Sequence, residues 1–174
     1  GLAGRAAYNY DGRYFGEFTF GYNGSERFAK NNRWGFFPSV AGGWMISKEN
    51  FFEPLTGLFD QFKLKASYGL TGQDQIGSGN DRFYYLSQVT LNSLDRNVNW
   101  GTQLNYNPGG VIVDRYANDE IGWEKSYKLN VGAEIHTVYG LSANVEYFTE
   151  RRENILLDRI IPSTMGIIPD VKAN

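Results

Sequence analysis

The sequence predicts an all-β chain: an antiparallel membrane β-barrel segment of about six long strands in meander order, with a short helical turn near residues 50–60. Three observations carry this. Between Arg13 and Asn23 alternate residues fall into two sets, Tyr14, Gly16, Phe18, Phe20, Tyr22 against Arg13, Phe15, Glu17, Thr19, Gly21, Asn23. A strand sends alternate side chains to opposite faces, so one face is aromatic and the other mostly polar. The same split recurs in five further segments, and the connections between segments are by turns short and long, as barrel strands crossing a membrane require.

The first segment, Leu2 to Tyr10, carries Tyr8 and Tyr10 opposite Arg5 and Asn9. Asp11-Gly12 follows, a strong hairpin signal because both residues tolerate positive φ. After the second segment, Arg13 to Asn23, residues 24–33 are polar and basic and read as a longer loop. The third, Gly35 to Ser47, sets Phe36, Val40, Trp44 and Ile46 against Ser39, Ala41 and Gly43. Pro38 cannot donate to a ladder, which predicts a bulge or a rim position there. Phe51, Phe52, Leu55, Leu58 and Phe59 then adopt helical spacing, with Ser47 as a candidate cap and Glu49 near the start. The fourth segment, Phe62 to Thr71, sets Phe62, Leu64, Ala66, Tyr68 and Leu70 against Lys63, Lys65, Ser67, Gly69 and Thr71.

From Gly72 to about Asp119 the pattern dissolves into turn-forming runs, with local strand expected at Phe83–Leu86 and Gln88–Leu91. A structureless stretch this long argues against a compact soluble domain, whereas outer loops of membrane barrels reach such lengths. The fifth segment, Ile121 to His136, turns Ile121, Trp123, Tyr127, Leu129, Val131, Ala133 and Ile135 one way and Glu124, Ser126, Lys128, Asn130, Gly132, Glu134 and His136 the other. Val138-Tyr-Gly140 is a tight turn into the sixth, Tyr139 to Glu150, where Leu141, Ala143, Val145 and Tyr147 oppose Ser142, Asn144, Glu146 and Glu150. The tail, Arg151 to Asn174, with Ile160-Ile-Pro and Ile167-Ile-Pro, reads as loop with a short strand. The connection at 48–61 is longer than its place among the short turns requires.

Alternation does not by itself say which solvent the apolar face meets. A secreted β-rich binding module or adhesin, with that face as its core, is the alternative. Lipid is favoured by Tyr10, Tyr14, Tyr22, Trp44, Trp123 and Tyr147 near segment ends, where an interfacial girdle belongs, and by mid-strand Arg5, Glu17, Lys63, Lys65, Lys128, Glu134 and Glu146, which a wet lumen accepts. With 16% aromatic residues and 21 Gly the chain is unusual for a soluble domain, and its net charge of −2 gives no reason to expect nucleic acid. There is no cysteine and one histidine, His136, so neither thiolate chemistry nor a usual zinc site is expected. Gly77-Ser-Gly79 lacks the rest of a dinucleotide loop, and no Gly-x-Ser-x-Gly elbow occurs. No enzyme, cofactor or metal site is expected.

The run Arg33-Trp-Gly-Phe-Phe-Pro-Ser-Val-Ala-Gly-Gly-Trp-Met-Ile-Ser47, with Tyr22-Asn-Gly-Ser-Glu-Arg-Phe-Ala29 ahead of it, resembles a hallmark stretch of the SusC/RagA-type TonB-linked outer-membrane transporters. Phe62-Lys-Leu-Lys-Ala-Ser-Tyr-Gly69, Ile121-Gly-Trp-Glu-Lys-Ser126, Asn130-Val-Gly132, Glu146-Tyr-Phe-Thr-Glu150 and Ile161-Pro-Ser-Thr164 also fit, leaving about 74–118 uncovered. Asp119-Glu-Ile-Gly-Trp123 departs from the family, which more often has an Asn-Pro stretch there. The resemblance implies that residues 1–174 are part of a larger barrel in the bacterial outer membrane, without its plug, TonB-contacting segment or final strands. It further implies import of glycans or peptides energised through TonB, with a SusD-like surface lipoprotein as partner. Within the long loop, Phe83, Tyr84, Tyr85, Trp100 and Tyr106 are candidates to stack on a sugar ring or pack on a peptide; the plainer reading is that they pack the loop on itself or on a partner.

Overall fold

The computed structural model describes residues 1–76, 82–104, 106–159 and 171–173. It has two compact bodies: one of Gly1–Gly24, Trp34–Gln73 and Glu124–Glu153, the other of Ser25–Arg33, Asp74–Trp123 and Asn154–Asn174.

The first body is a single antiparallel sheet. Its strands are β1 (Leu2–Tyr10), β2 (Tyr14–Gly24), β3 (Trp34–Met45) and β4 (Phe59–Gln73). After β5 (Gln88–Ser93) and β6 (Gly110–Arg115), which belong to the second body, β7 (Glu124–Thr137) and β8 (Ser142–Glu153) complete it. The order is β1-β2-β3-β4-β7-β8, the meander the alternation predicts. Each strand lies beside its chain neighbour except β4 and β7, which pair along Phe59–Gln73 across the intervening loop.

Register keeps the two faces separate across the sheet. One row runs Tyr8, Gly16, Gly42, Ala66, Val131, Tyr147, and its neighbour runs Ala6, Phe18, Val40, Tyr68, Leu129, Thr149. The row between them on the other face is Ala7, Glu17, Ala41, Ser67, Asn130, Phe148. A slip of one residue would exchange the faces, and the only irregularity in these ladders is at Phe59/Gln61.

The apolar face does not form the inside of a sandwich. Phe18 is 42% exposed, Tyr68 50%, Val131 45% and Val145 66%. These are the side chains the adhesin alternative would bury between two sheets. Large rings instead lie flat over neighbouring glycines: the Phe20 ring covers Gly4 and the Trp34 ring covers Gly24, a shielding of bare backbone that restores contact where glycine offers none.

Several boundaries differ from expectation for physical reasons. The β1–β2 connection has three residues, because Tyr10 pairs with Tyr14; Asp11 and Gly12 adopt φ of 54° and 59°, and the Arg13 amide donates to the Tyr10 carbonyl at 3.0 Å. Pro38 is at neither a bulge nor the rim of its strand: it is the fifth residue of β3, the β2–β3 register runs through it unshifted, and it lies just beyond the β3–β4 ladder of Ser39–Met45. The helical turn consists of 3₁₀ turns at Ile46–Lys48 and Asn50–Leu55. Ser47 lies inside the first and caps nothing; Met45 and Glu49 hold the cap positions, without side-chain cap bonds.

In the second body β5 pairs with β6, and β9 (Leu157–Arg159) with β10 (Val171–Ala173). Of the strand expected around 83–91, Gln88–Leu91 is found in β5, whereas Phe83–Leu86 is a turn closed by the Leu86 amide on the Phe83 carbonyl at 3.0 Å. Gly77–Gly79, Ile161–Thr164 and the two Ile-Ile-Pro runs lie outside the described residues.

Candidate functional site

Two surfaces of the molecule carry chemistry: the polar face of the sheet and the loop body. On the polar face, Arg5 of β1 holds Glu17 of β2 in a two-pronged bond, Nε to Oε1 at 2.9 Å and Nη2 to Oε2 at 2.8 Å. The two are diagonal neighbours, since Arg5 is in register with Thr19 and Ala7 with Glu17. Further along, the Lys63 ammonium lies 5.0 Å from the centre of the Phe15 ring.

Lys65 forms the longest cross-tie. It is in register with Gly132 of β7, and Gly132 with Glu146 of β8. Its Nζ donates to Glu134 at 2.8 Å and pairs also with Glu146. The lysine stem crosses over Gly132: a Cβ there would lie 2.8 Å from the Lys65 Cε, 3.2 Å from the Glu146 Cγ and 3.2 Å from the Val145 carbonyl oxygen, so a larger residue would make the stem shift. Near the other end of the same strands Glu150 accepts from Ser126 Oγ at 2.6 Å and from Arg152 Nε at 2.8 Å.

Two hollows open on this face, both lined by Arg5. One, of about 410 Å³, includes Asn9, Phe15, Glu17, Lys63 and Lys65. The other, of about 560 Å³, includes Thr19, Asn23, Phe37, Ser39 and Thr71. All these charges are partly solvated, and each such pair contributes little to stability. Their arrangement is that of a wetted wall, not of a catalytic centre. His136 fits this: its Nδ1 lies 2.8 Å from the Ser142 Oγ across the β7–β8 turn. Among the described residues no group of three or more His, Asp or Glu could hold a metal ion.

The apolar face is bounded at both ends by paired rings. At one end Tyr22 stacks on Trp34 with centroids 4.9 Å apart. At the other Tyr14 stacks on Trp44 at 6.4 Å, flanked by Tyr10 at 6.4 Å and by Phe51 at 6.3 Å. Glu49 anchors this second group, accepting from the Tyr14 hydroxyl at 2.6 Å and from the Trp44 indole N–H at 3.0 Å. These bonds, first from Tyr14 and then from Trp44, hold the Glu49 carboxyl below the usual range, with partial desolvation opposing and Arg13 assisting. Along β2, Tyr14 and Tyr22 are about 27 Å apart at strand rise, or about 20 Å in height for a strand tilted by roughly 40°, close to the ~25 Å apolar band of a membrane barrel.

The loop body has its own core: Phe28, Ile76, Tyr84 and Ile121 are 1–6% exposed, with Trp123 and Leu156 packed against them. Here the sequence reading of the fifth segment is corrected. β7 begins at Glu124; Ile121 is buried at 3% exposure, and Trp123 meets the Phe28 ring at 5.4 Å and donates its indole N–H to the Arg33 carbonyl at 3.1 Å. Trp123 therefore belongs to the loop core and not to a girdle, and Tyr147, paired with Val131 in the middle of β8, is not at a strand end either.

Of the five aromatic candidates, Tyr84 is 2% exposed and is committed to this core, with the Arg115 guanidinium 5.0 Å from its ring centre. Phe83 and Tyr85 meet edge to face at 6.2 Å. Trp100 and Tyr106, 59% and 66% exposed, are joined by a two-way backbone bridge. The sequence reading missed Phe28, a lone aromatic in an otherwise polar loop, and Arg115, which donates to the Phe83 carbonyl at 3.2 Å and fixes that turn. The run Val111-Ile-Val113 was the available sign of β6.

No family model matches the chain. TonB-dependent receptor P3 of Formosa agariphila is 32% identical to it over 170 residues, covering 97% of this chain and 16% of that protein. TonB-dependent receptor SusC of Bacteroides thetaiotaomicron is 33% identical over 160 residues, covering 91% of this chain and 15% of that protein. The chain thus spans about one sixth of the length of these curated relatives. Among solved structures, the RagAB peptide importer in its closed-closed state superposes with a TM-score of 0.77 at 25% identity, over 99% of this chain and 17% of that one. On these matches, and with the six-stranded antiparallel sheet superposing on part of the RagAB barrel, the chain belongs to the SusC/RagA-type TonB-dependent receptors of the outer membrane, as a length of their β-barrel.

Proposed function

We propose that this chain is wall and outer loop of an active importer that carries glycans or peptides across the outer membrane, with energy supplied through TonB. The observation that carries this reading is the six-stranded sheet with neither face buried: one face is apolar between stacked rings, the other lined with ion pairs and hollows. A wall between lipid and water needs both faces. The RagAB structure is that of a peptide importer, and SusC is a TonB-dependent receptor; the first, at 25% identity over about a sixth of its length, supports peptide as the cargo class, while glycan rests on the sequence resemblance alone.

In this reading the polar face is lumen, and Arg5, Glu17, Lys65, Glu134 and Glu146 set its field. Phe83, Tyr85, Trp100 and Tyr106, in the long connection between β4 and β7, are the residues proposed to meet cargo or a SusD-like lipoprotein. The test is uptake by cells carrying the full-length receptor, with a panel of labelled oligosaccharides and peptides, with and without functional TonB. Uptake of one class that collapses without TonB is expected. Uptake indifferent to TonB would overturn the reading.

A further inference from the structure

We propose that the connection at 46–58, together with the neighbouring β7–β8 turn, is a membrane anchor, a ledge seated in the headgroup–acyl boundary of a glycerophospholipid leaflet. The ledge folds back onto the apolar side of the sheet. Phe52, 5% exposed, packs on the rings of Phe59 and Phe62 at 6.2 and 6.0 Å, and Phe62 shares its face with Leu64 and Tyr68. Phe51 meets Trp44, itself on that face, at 6.3 Å. The far end is tied down where the Val138 amide donates to the Leu58 carbonyl at 3.2 Å. So held, the two connections leave Phe51, Leu55, Leu58, Val138, Tyr139 and Leu141 exposed by 45–77%.

An apolar surface of this size, continuous with the lipid-facing wall, needs a partner. Lipid is the occupant favoured, for two reasons. The patch extends the Tyr10–Tyr14–Trp44 girdle, the ring type that settles at headgroup depth. The charged residues beside it in sequence, Arg13 and Lys48 with Asp11, Glu49, Glu53 and Asp60, are of both signs and net −2, so the headgroups they suit are zwitterionic and not anionic. The turns at this end include the two shortest, 11–13 and 138–141, which places it on the periplasmic side. The extra length of the 46–58 connection then has a use: a short amphipathic segment lying in the interface plane, buried by about 5–10 Å.

The inference rests on the apolar face meeting lipid, and the experiment separates the two. The full-length receptor, in vesicles of phosphatidylethanolamine and phosphatidylglycerol, carries a nitroxide at Leu55→Cys, with Phe51→Cys as a second site. Val131→Cys serves as the lipid reference and Asn130→Cys as the aqueous one. Collision rates with oxygen and with a water-soluble nickel chelate are read by power saturation. The oxygen-to-nickel ratio at positions 51 and 55 is expected several-fold above that at Asn130→Cys and below that at Val131→Cys. Ratios at both sites equal to Asn130→Cys, with Val131→Cys still high, would overturn the anchor and leave the wall reading intact. A low ratio at Val131→Cys would overturn both. Labels at 51 and 55 shielded from both relaxants would mean that a protein, not lipid, covers the ledge.

Discussion

Val131 and Asn130 are adjacent in β7 and differ in almost nothing but the face they occupy. Val131 sits midway along a 14-residue strand, 45% exposed, with Ala66 and Tyr147 beside it in register. The carboxylates nearest in sequence and pairing, Glu134 and Glu146, lie on the other face. An arginine at 131 is about 20 Å of strand from either end, too far to bring its guanidinium to water. Its cost in a full-length receptor folding into vesicles is about 2–4 kcal/mol, which lowers the folding equilibrium about 30- to 700-fold. Asn130→Arg faces Ser67 and Phe148 in a solvated row and is expected within about 0.5 kcal/mol of the parent. Urea titration of insertion into vesicles, followed by tryptophan emission and gel mobility, reads both. Equal costs for the two variants would refute the assignment of faces, and with it the wall.

Gly132→Val crowds the Lys65 stem and is expected to displace it from Glu146; because these groups are partly solvated, losing the pair is expected to weaken folding by no more than about 1 kcal/mol, read by the same urea titration. Glu49 has a lowered carboxyl pKa, so its contribution is full above the ordinary glutamate value of 4.5 and fades as pH falls through the lower value. Near-ultraviolet dichroism of the Tyr14–Trp44 pair should therefore persist through mild acid and drop below it, and Glu49→Gln should remove that step. Phe28→Ala empties a fully buried site and is expected to cost the loop body about 3–5 kcal/mol, visible as faster amide exchange over 82–123 with β2 and β3 protection unchanged.

The strands of the sheet were legible because each has one face lipid-like and one wet, so the alternation is long and uninterrupted from Leu2 to Tyr10 and again from Phe62 to Leu70. Where a segment passes from wall to loop the period continues by accident: Ile121 and Trp123 share the parity of Tyr127 and Leu129, yet are buried with Phe28. Parity records spacing and not the neighbour that does the burying. The loop core was illegible for a related reason. Phe28, Ile76, Tyr84 and Ile121 come from separate stretches of chain and leave no local pattern. The Lys65–Gly132–Glu146 tie needed register across three strands, which alternation within one strand does not supply.

The loop core joins parts of three connections: 25–33 after β2, 74–123 after β4, and the chain beyond β8, which contributes Leu156. In sequence these are three separate stretches of chain. Sharing one hydrophobic cluster makes them a single cooperative unit, which orders and opens as a whole. Closing β4 on β7 across 50 residues adds little entropy cost relative to a short turn, about 0.6 kcal/mol per doubling of loop length. Insertions in that loop can therefore accumulate without unpairing β4 from β7. A change that loosens Phe28 or Tyr84, by contrast, is felt in all three stretches, because both side chains belong to the one cluster that the stretches share.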